Sequence, residues 1–178
     1  MKIVVLAGGL SPERDVSLSS ASLVANALIS EGHDVALIDV YEGLTDDDVL
    51  ENLFVRPNSG RKFEFVVSEK APDLNELVRR HDGRKALIGP KVVDICAIAD
   101  VVFIGLHGAM GENGQLQALL DCYAIPYTGT GYCGSLLAMD KDLSKKLLRQ
   151  AGIPTADWIM LERDSDSESD IIGSIGFP

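Results

Sequence analysis

Three short runs of apolar residues, rich in β-branched side chains, predict the strands of a single sheet. They cover residues 3–6, 35–40 and 101–106, and the first and third lead into turns that contain glycine. Continuous apolar runs of this length are typical of parallel strands buried on both faces. Because a helical pattern separates the first two runs, the order of elements predicts an open, mostly parallel α/β sheet with right-handed crossovers.

The helical pattern after the first run begins at Ser11, which can cap a helix, and Pro12, which suits the first helical position. It ends at Gly32. The residues expected on its buried face recur at helical spacing: Val16, Ser20, Leu23, Val24, Ala27 and Leu28. We therefore predict a helix that packs on the sheet through these side chains.

Residues 44–91 interrupt the alternation of strand and helix. Residues 63–67 read as a strand, and proline and glycine punctuate their surroundings. We expect an inserted surface hairpin with a short helix in this segment. Its mild excess of basic residues, over residues 56–91, lacks the aromatic interleaving of a nucleic-acid platform, so we interpret it as a solvated face.

The remainder of the chain predicts further short elements. Leu116, Leu119 and Leu120 mark a helix, and residues 126–129 read as a short strand. Two helices are expected at residues 135–139 and 140–150, followed by a strand at residues 158–161 that opens a new unit. We accordingly divide the chain into a first domain, residues 1–138, and the beginning of a second, residues 139–178.

Charge and composition exclude several classes of protein. The formal net charge is -11, and residues 42–51 and 162–170 together supply nine of these charges, so the acidic bias is concentrated in two stretches of solvated surface. A general nucleic-acid-binding protein is expected to be basic. No apolar run reaches the roughly 18 residues of a membrane-spanning helix. These features predict neither a nucleic-acid nor a membrane partner.

The cysteines and the amino terminus indicate a cellular compartment. Cys96, Cys122 and Cys133 are too widely spaced to suggest a disulfide framework or a zinc site. The opening apolar run is too short for a signal peptide and is soon followed by charged residues at positions 13–15. A reducing cytoplasm fits both observations.

The first candidate site is the turn between the first strand and the helix. Ligands bind open α/β sheets at the carboxyl ends of the strands, and Asp39 could serve as the ribose ligand of a dinucleotide. However, the glycines do not follow the G-x-G-x-x-G pattern, and Glu13 places a carboxylate where a pyrophosphate would lie. A carboxylate there suits a ligand with a cation, such as an ammonium group. It can also simply complement the helix macrodipole, an interaction worth about 0.3–1 kcal/mol.

Two later segments supply further candidates. His107 follows the third strand and opens a segment with three glycines, residues 107–114, so it should share the sheet edge with the Glu13 turn. A lone histidine is usually structural, but this shared location favours a ligand-binding role. Lys141 begins a helix and could contact phosphate oxygens, although a solvated lysine is the more common case.

Together these segments resemble the D-alanine:D-alanine ligase family, at its amino-terminal portion. Residues 8–18 match the pattern Gly-Gly-x-Ser-x-Glu-Arg-(Glu/Asp)-Val-Ser-Leu, and residues 107–117 match His-Gly-x-x-Gly-Glu-(Asp/Asn)-Gly-x-Leu-Gln. Pro-Tyr-Thr-Gly and Met-Asp-Lys follow at residues 126–129 and 139–141. The resemblance covers most of the chain outside residues 44–100. It implies a Rossmann-like domain followed by the start of an ATP-grasp domain.

The resemblance also implies a reaction and residue roles. One D-alanine is phosphorylated by ATP on its carboxylate, and the amine of a second D-alanine attacks the acyl phosphate to give a peptidoglycan precursor. Glu13 is then the catalytic residue that contacts the ammonium of the first D-alanine, and Val16, His107 and Gly108 complete the substrate site. Lys141 contributes to nucleotide binding. A homodimer is also implied.

The family's phosphate-binding lysine, adenine pocket and acidic Mg²⁺ ligands come after its Ile-Gly-Phe-Pro segment, at which this sequence stops. ATP and Mg²⁺ are thus expected to bind mainly outside these residues, which should have no turnover on their own. Two other hypotheses stay open, a nucleotide- or dinucleotide-binding Rossmann-like module without ligase chemistry and a noncatalytic interaction domain. The choice among D-alanine, D-lactate and D-serine as second substrate also stays open.

Overall fold

The computed structural model describes residues 1–160 and 173, and its centre is a parallel sheet. Among these residues three strands pair in the order β2-β1-β3: β1 (Lys2–Ala7), β2 (Asp34–Asp39) and β3 (Val101–Ile104). All three predicted apolar runs form strands, which confirms the α/β prediction. Alternate residues of β1 face opposite cores, so the central strand is buried on both faces.

Helices cover both faces of the sheet. On one face lies α1 (Arg14–Ser30), and on the other lie α3 (Val92–Ala97) and α5 (Gln115–Cys122). The sequence pattern predicted α1 and α5 but not α3, which contributes Val92, Ile95 and Cys96 to the core. Burial raises the pKa of the Cys96 thiol to about 12, so it stays protonated at neutral pH. All three cysteines are free.

The helix α1 is confirmed, but its predicted buried face is right only in part: Leu28 packs against the core as partly buried. The buried residues are Ser17, Ala21, Ser22 and Ala25. Val16 is 50% exposed and Leu23 is 71% exposed. The small side chains let the helix axis approach the sheet closely, Leu18, Leu28 and Ile29 pack at the margin of the contact, and Val16 and Leu23 turn outward. Ser11 is not the N-cap either, since the helix begins after Glu13 and the Ser11 hydroxyl accepts the Glu13 N–H at 3.1 Å.

The predicted hairpin in residues 44–91 is also wrong. Residues 63–67 form no strand, because the backbone of Phe63 bonds to a helix side chain instead: its N–H donates to Oδ1 of Asn26 at 2.9 Å and its carbonyl accepts from Nδ2 at 2.8 Å. A 3₁₀ helix (Leu50–Leu53) precedes an antiparallel bridge from Val55 to Val35. The predicted short helix is confirmed as α2 (Leu74–Arg80).

Beyond β3 the chain forms short elements around the sheet edge. A helical turn, α4 (Ala109–Glu112), precedes α5, and Tyr127 makes a single parallel bridge to Val102 where a short strand was predicted. The two predicted helices that follow are confirmed as α6 (Tyr132–Met139) and α7 (Lys141–Gln150). The predicted boundary between residues 138 and 139 falls at the end of α6 and stays a prediction.

The strand predicted at residues 158–161 is absent over residues 158–160, and residue 161 lies outside the described residues. Trp158 instead packs on α7, where its indole N–H donates to Asp142 at 2.8 Å and the Arg149 guanidinium lies 4.4 Å from the ring centre. Over the part of the chain that the structure describes, no helix has the length and apolar character needed to cross a membrane.

Candidate functional site

The Glu13 turn and the His107 loop meet at one edge of the sheet. Both follow strands whose carboxyl ends lie side by side, and the Gly105 N–H just after β3 donates to the Leu6 carbonyl of β1 at 2.8 Å. The Glu13 carboxylate lies directly over the α-carbon of Gly108, so that a Cβ there would collide with Oε2. Gly108 also has φ +68°, which glycine adopts without strain. The sequence-based prediction that the two loops lie at the same edge of the sheet is confirmed.

Ser11 joins the two loops. Its hydroxyl donates to the His107 carbonyl at 3.2 Å and accepts the Glu13 N–H at 3.1 Å. Ser11 is buried, whereas Glu13 is exposed. The buried hydroxyl therefore holds the backbone of both loops in place, and the Glu13 side chain stays exposed at the surface beside Gly108. Among the described residues, no cation forms an ion pair with Glu13.

The His107 imidazole is held by the first helix. Its Nε2 lies 3.1 Å from the Ser20 hydroxyl oxygen, which also lies 3.0 Å from the Val16 carbonyl and 3.1 Å from the Ser17 carbonyl. A hydroxyl has a single proton. When the Ser20 hydroxyl donates that proton to one of the two carbonyls, its oxygen can accept a hydrogen bond from a protonated Nε2 of His107. Ser20 thus orients the ring, a role that the sequence pattern did not indicate.

A second serine, Ser17, ties three elements together beneath the site. Its buried hydroxyl accepts the Gly8 N–H at 3.0 Å and donates to the Gly105 carbonyl at 2.7 Å. These bonds join the ends of β1 and β3 to the first turn of α1. Sequence reasoning did not identify Ser17, although a signal was present in the small residues that recur on that face of the helix.

Asp39, the residue considered as a ribose ligand, is already engaged within the protein. Its Oδ2 forms an ion pair with Nη2 of Arg14 at 2.6 Å. Its Oδ1 accepts backbone N–H groups from Gly9 at 3.3 Å, Tyr41 at 2.9 Å and Glu42 at 3.0 Å. With only 12% of its side chain exposed, Asp39 organises the turn and is not free to bind a ribose. Sequence reasoning assigned no role to Arg14.

The cleft itself is narrow and mostly apolar. Its lining combines the glycine turn and the His107 loop with three large apolar residues, Leu87, Leu106 and Met110. The cavity has a volume of about 20 Å³, enough for about one water molecule. Leu87 belongs to the segment inserted between β2 and α3, so this insertion forms one wall of the site.

The other two predicted site residues lie apart from the cleft. Val16 is on the outward side of α1, and Lys141 is exposed at the first position of α7. Within residues 1–160, no hydrogen bond or ion pair links Lys141 to Glu13 or His107. Nor do the described residues include a group of three or more His, Cys, Asp or Glu side chains placed to hold a metal ion.

An open parallel sheet with a glycine-lined cleft at its strand ends defines a ligand-binding α/β domain. The family is more specific than this class. A family model described as D-ala D-ala ligase N-terminus matches residues 2–130, and the chain therefore belongs to that family.

Individual relatives agree with this assignment. A D-alanine–D-alanine ligase of Pediococcus pentosaceus is 45% identical over 166 residues, which are 90% of this chain and 46% of that protein. One from Lacticaseibacillus casei is 39% identical over 168 residues, 92% of this chain and 46% of the relative. The chain thus spans less than half the length of these curated relatives.

Solved structures show the same fold. The crystal structure of a D-alanine–D-alanine ligase from Bacillus anthracis complexed with ATP superposes with a TM-score of 0.63 at 25% identity, covering 100% of this chain and 44% of that one. The ligase of Coxiella burnetii superposes with a TM-score of 0.61 at 28% identity, covering 97% of this chain and 49% of its own.

Proposed function

We propose that these residues form the part of an ATP-dependent D-alanine:D-alanine ligase that binds the first amino acid. The observation that carries the proposal is the exposed Glu13 carboxylate over Gly108, the residue that follows His107, whose imidazole is held by Ser20. A carboxylate without an internal cation is suited to the ammonium of an amino acid, and the charge-assisted hydrogen bond that results is stronger than a neutral one. Gly108 has no side chain, so the Glu13 carboxylate can lie against the loop that carries His107.

In the proposed reaction a carboxylate oxygen of the first D-alanine attacks the γ-phosphorus of ATP, and ADP leaves. The amine nitrogen of the second D-alanine then attacks the acyl carbon, phosphate leaves, and the new amide nitrogen loses a proton. Glu13 and His107 hold the first amino acid during both steps, because positioning supplies much of the rate in such transfers. The Ser11 and Ser17 bonds keep the two loops in register.

The roles proposed for Val16, Lys141, ATP and Mg²⁺ rest on the family resemblance. Val16 would pack beside the Glu13 turn, and Lys141 would contact the phosphates as a point charge. The described acidic residues are not grouped as a Mg²⁺ site, so we assign no step to a metal held by them. A homodimer, a cytoplasmic location and a place in peptidoglycan precursor synthesis are proposed on the same basis. Sedimentation of the purified enzyme tests the dimer.

The alternative of a dinucleotide-binding module is less well supported. Both oxygens of Asp39 already have partners in the protein, and the Glu13 carboxylate lies where a pyrophosphate would meet the helix. Titration with D-alanine and with NAD distinguishes the two functions, since only the first should be weakened by loss of the Glu13 charge.

We expect Glu13→Gln to raise the KM for D-alanine by about tenfold to a hundredfold, the range for loss of a charge-assisted hydrogen bond. The amide preserves the size of the side chain but not its charge, so the KM for ATP should change little. Steady-state kinetics of a polypeptide that has the relatives' length and begins with these residues, called the complete ligase below, measures both constants. Glu31→Gln, at the far end of the same helix, is the control. Unchanged D-alanine kinetics in Glu13→Gln would overturn the proposal.

A further inference from the structure

Glu13 is followed in the chain by a residue of opposite charge, Arg14. A guanidinium is a strong partner for a carboxylate and is permanently charged. If Arg14 turned toward Glu13, it would compete directly with the ammonium of a bound amino acid. The site therefore depends on where the Arg14 side chain is held.

The structure pairs Arg14 with three carboxylates other than that of Glu13. Its guanidinium lies 2.6 Å from Asp39, 3.5 Å from Glu42 and 3.6 Å from Asp15. Only 11% of the Arg14 side chain and 12% of the Asp39 side chain are exposed, so this pair is protected from solvent. The contact with Asp15 also shows that this side chain can reach the carboxylate of a neighbouring residue.

Asp39 is the partner that is itself fixed in place. Three backbone N–H groups donate to its Oδ1, and two of them, from Tyr41 and Glu42, belong to the loop that follows β2. The third comes from Gly9, in the same turn that leads to Glu13. A Cβ on Gly8 would collide with the Asp39 carboxylate, so the turn is shaped around this side chain. Glu42 is more exposed, at 42%, and is a weaker anchor.

We propose that Asp39 is a positioning residue for the Glu13 site, holding the Arg14 guanidinium away so that the Glu13 carboxylate stays open to a cationic ligand. This inference rests on the proposed function, because it assumes that Glu13 binds an ammonium group. It assigns Asp39 and Arg14 a shared electrostatic role in substrate affinity, in addition to their contribution to the fold.

Asp39→Asn separates charge from shape. The asparagine oxygen can still accept the three backbone N–H bonds, but the neutral side chain no longer holds the guanidinium as an ion pair. Arg14 then competes for Glu13, and we expect the KM for D-alanine in the complete ligase to rise by roughly threefold to fivefold, the upper part of the range for an exposed ion pair. The KM for ATP and kcat should stay within about twofold. Asp48→Asn is the matched control, since the Asp48 carboxylate accepts hydrogen bonds from the N–H and the hydroxyl of Thr45 in the same loop and does not contact Arg14.

The decisive variant is Arg14→Gln/Asp39→Asn. It removes the competing cation together with its anchor, so the D-alanine KM should return to within about twofold of the wild-type value. A merely structural role for Asp39 predicts no such recovery, because the second substitution repairs no packing. If Asp39→Asn alone does not fold, Arg14→Lys/Asp39→Asn replaces it, since the flexible lysine stem need not leave its charge buried and can carry it to the exposed Glu13 carboxylate. This variant keeps a cation at position 14 and should show the raised KM.

The results also separate this inference from the proposed function. In a Glu13→Gln background, Asp39→Asn should cause no further rise in the D-alanine KM. If Glu13→Gln itself has no effect, the proposed amino-acid site is wrong. If Glu13→Gln raises the KM but Arg14→Gln/Asp39→Asn fails to restore it, the positioning role of Asp39 is overturned and the amino-acid site stands.

Discussion

At the scale of single residues, the site depends on a glycine that places two loops in contact. Gly108 has a positive φ, and the Glu13 carboxylate lies against its α-carbon. Any side chain there would therefore act twice, by straining the backbone and by displacing the carboxylate. Gly152 has a similar φ of +73° but open space around it, so a side chain there would strain the backbone without displacing another group.

We expect Gly108→Ala and Gly152→Ala to lose a similar stability of about 1–2 kcal/mol, the cost of a left-handed conformation in an L-residue. Only Gly108→Ala should also raise the KM for D-alanine in the complete ligase, because only its methyl group displaces Glu13. Urea denaturation and steady-state kinetics measure the two quantities. Equal D-alanine KM values for both variants would mean that the carboxylate position over Gly108 does not matter for binding.

The residues found by sequence reasoning differ in kind from those it missed. Glu13 and His107 could be identified because each follows a predicted strand, and parallel strands end at the same sheet edge. Ser17, Ser20 and Arg14 act through partners 25 to 88 positions away, and no local pattern specifies such partners. Supporting residues of this kind depend on the packing of α1 on the sheet.

At the scale of elements, α1 shows how packing overrides an apolar pattern. Two apolar side chains of the predicted face, Val16 and Leu23, are largely exposed, and small residues make the contact instead. Gly105 allows that contact, since a Cβ there would lie 3.3 Å from the Cβ of Ala21. The close approach brings the hydroxyls of Ser17 and Ser20 within reach of the loop after β3. Bulkier side chains on the buried face of α1 would hold these hydroxyls farther from the site.

The helix α7 offers a test of the role proposed for Lys141. A cation in the first turn opposes the positive end of the helix dipole, so Lys141→Gln should stabilise the fold slightly, by about 0.3–1 kcal/mol. If the lysine contacts phosphate oxygens, the same substitution should raise the KM for ATP in the complete ligase several-fold. The combination of greater stability and weaker ATP binding is the expected signature, measured by urea denaturation and kinetics.

Lys146→Gln provides the comparison on the same helix. Lys146 pairs with Asp142 one turn away and is solvent-exposed, so its replacement should leave the KM for ATP unchanged. If Lys141→Gln and Lys146→Gln have the same KM for ATP, Lys141 does not belong to the nucleotide site.

At the scale of the whole molecule, we expect the catalytic work to be divided along the chain. The Glu13 and His107 loops bind an amino acid in our proposal, but phosphoryl transfer also needs groups that neutralise the developing charge. The family resemblance assigns those groups to a later part of the ligase. We therefore expect residues 1–178 alone to release no ADP from ATP in the presence of D-alanine, whereas the complete ligase does. A coupled ADP assay measures this, and D-alanine-dependent ADP release by residues 1–178 alone would contradict it.

The sequence by itself determined the three strands, the helices α1, α5, α6 and α7, and the meeting of the Glu13 and His107 loops. These features follow from local patterns of apolar residues and glycines, because the period of burial differs between strands and helices. The family motifs are likewise local in the chain.

Only the tertiary structure decided which face of α1 is buried, how the segment from residue 44 to 91 folds, and which partners hold the site. Asn26 binds the backbone of Phe63, and Asp39 holds Arg14, through contacts between distant parts of the chain. A side chain that bonds in this way could form a bond of similar energy with several other partners. The outcome depends on which of them close packing brings within about 3 Å, a distance that hydrogen bonds require and that one-dimensional patterns do not encode.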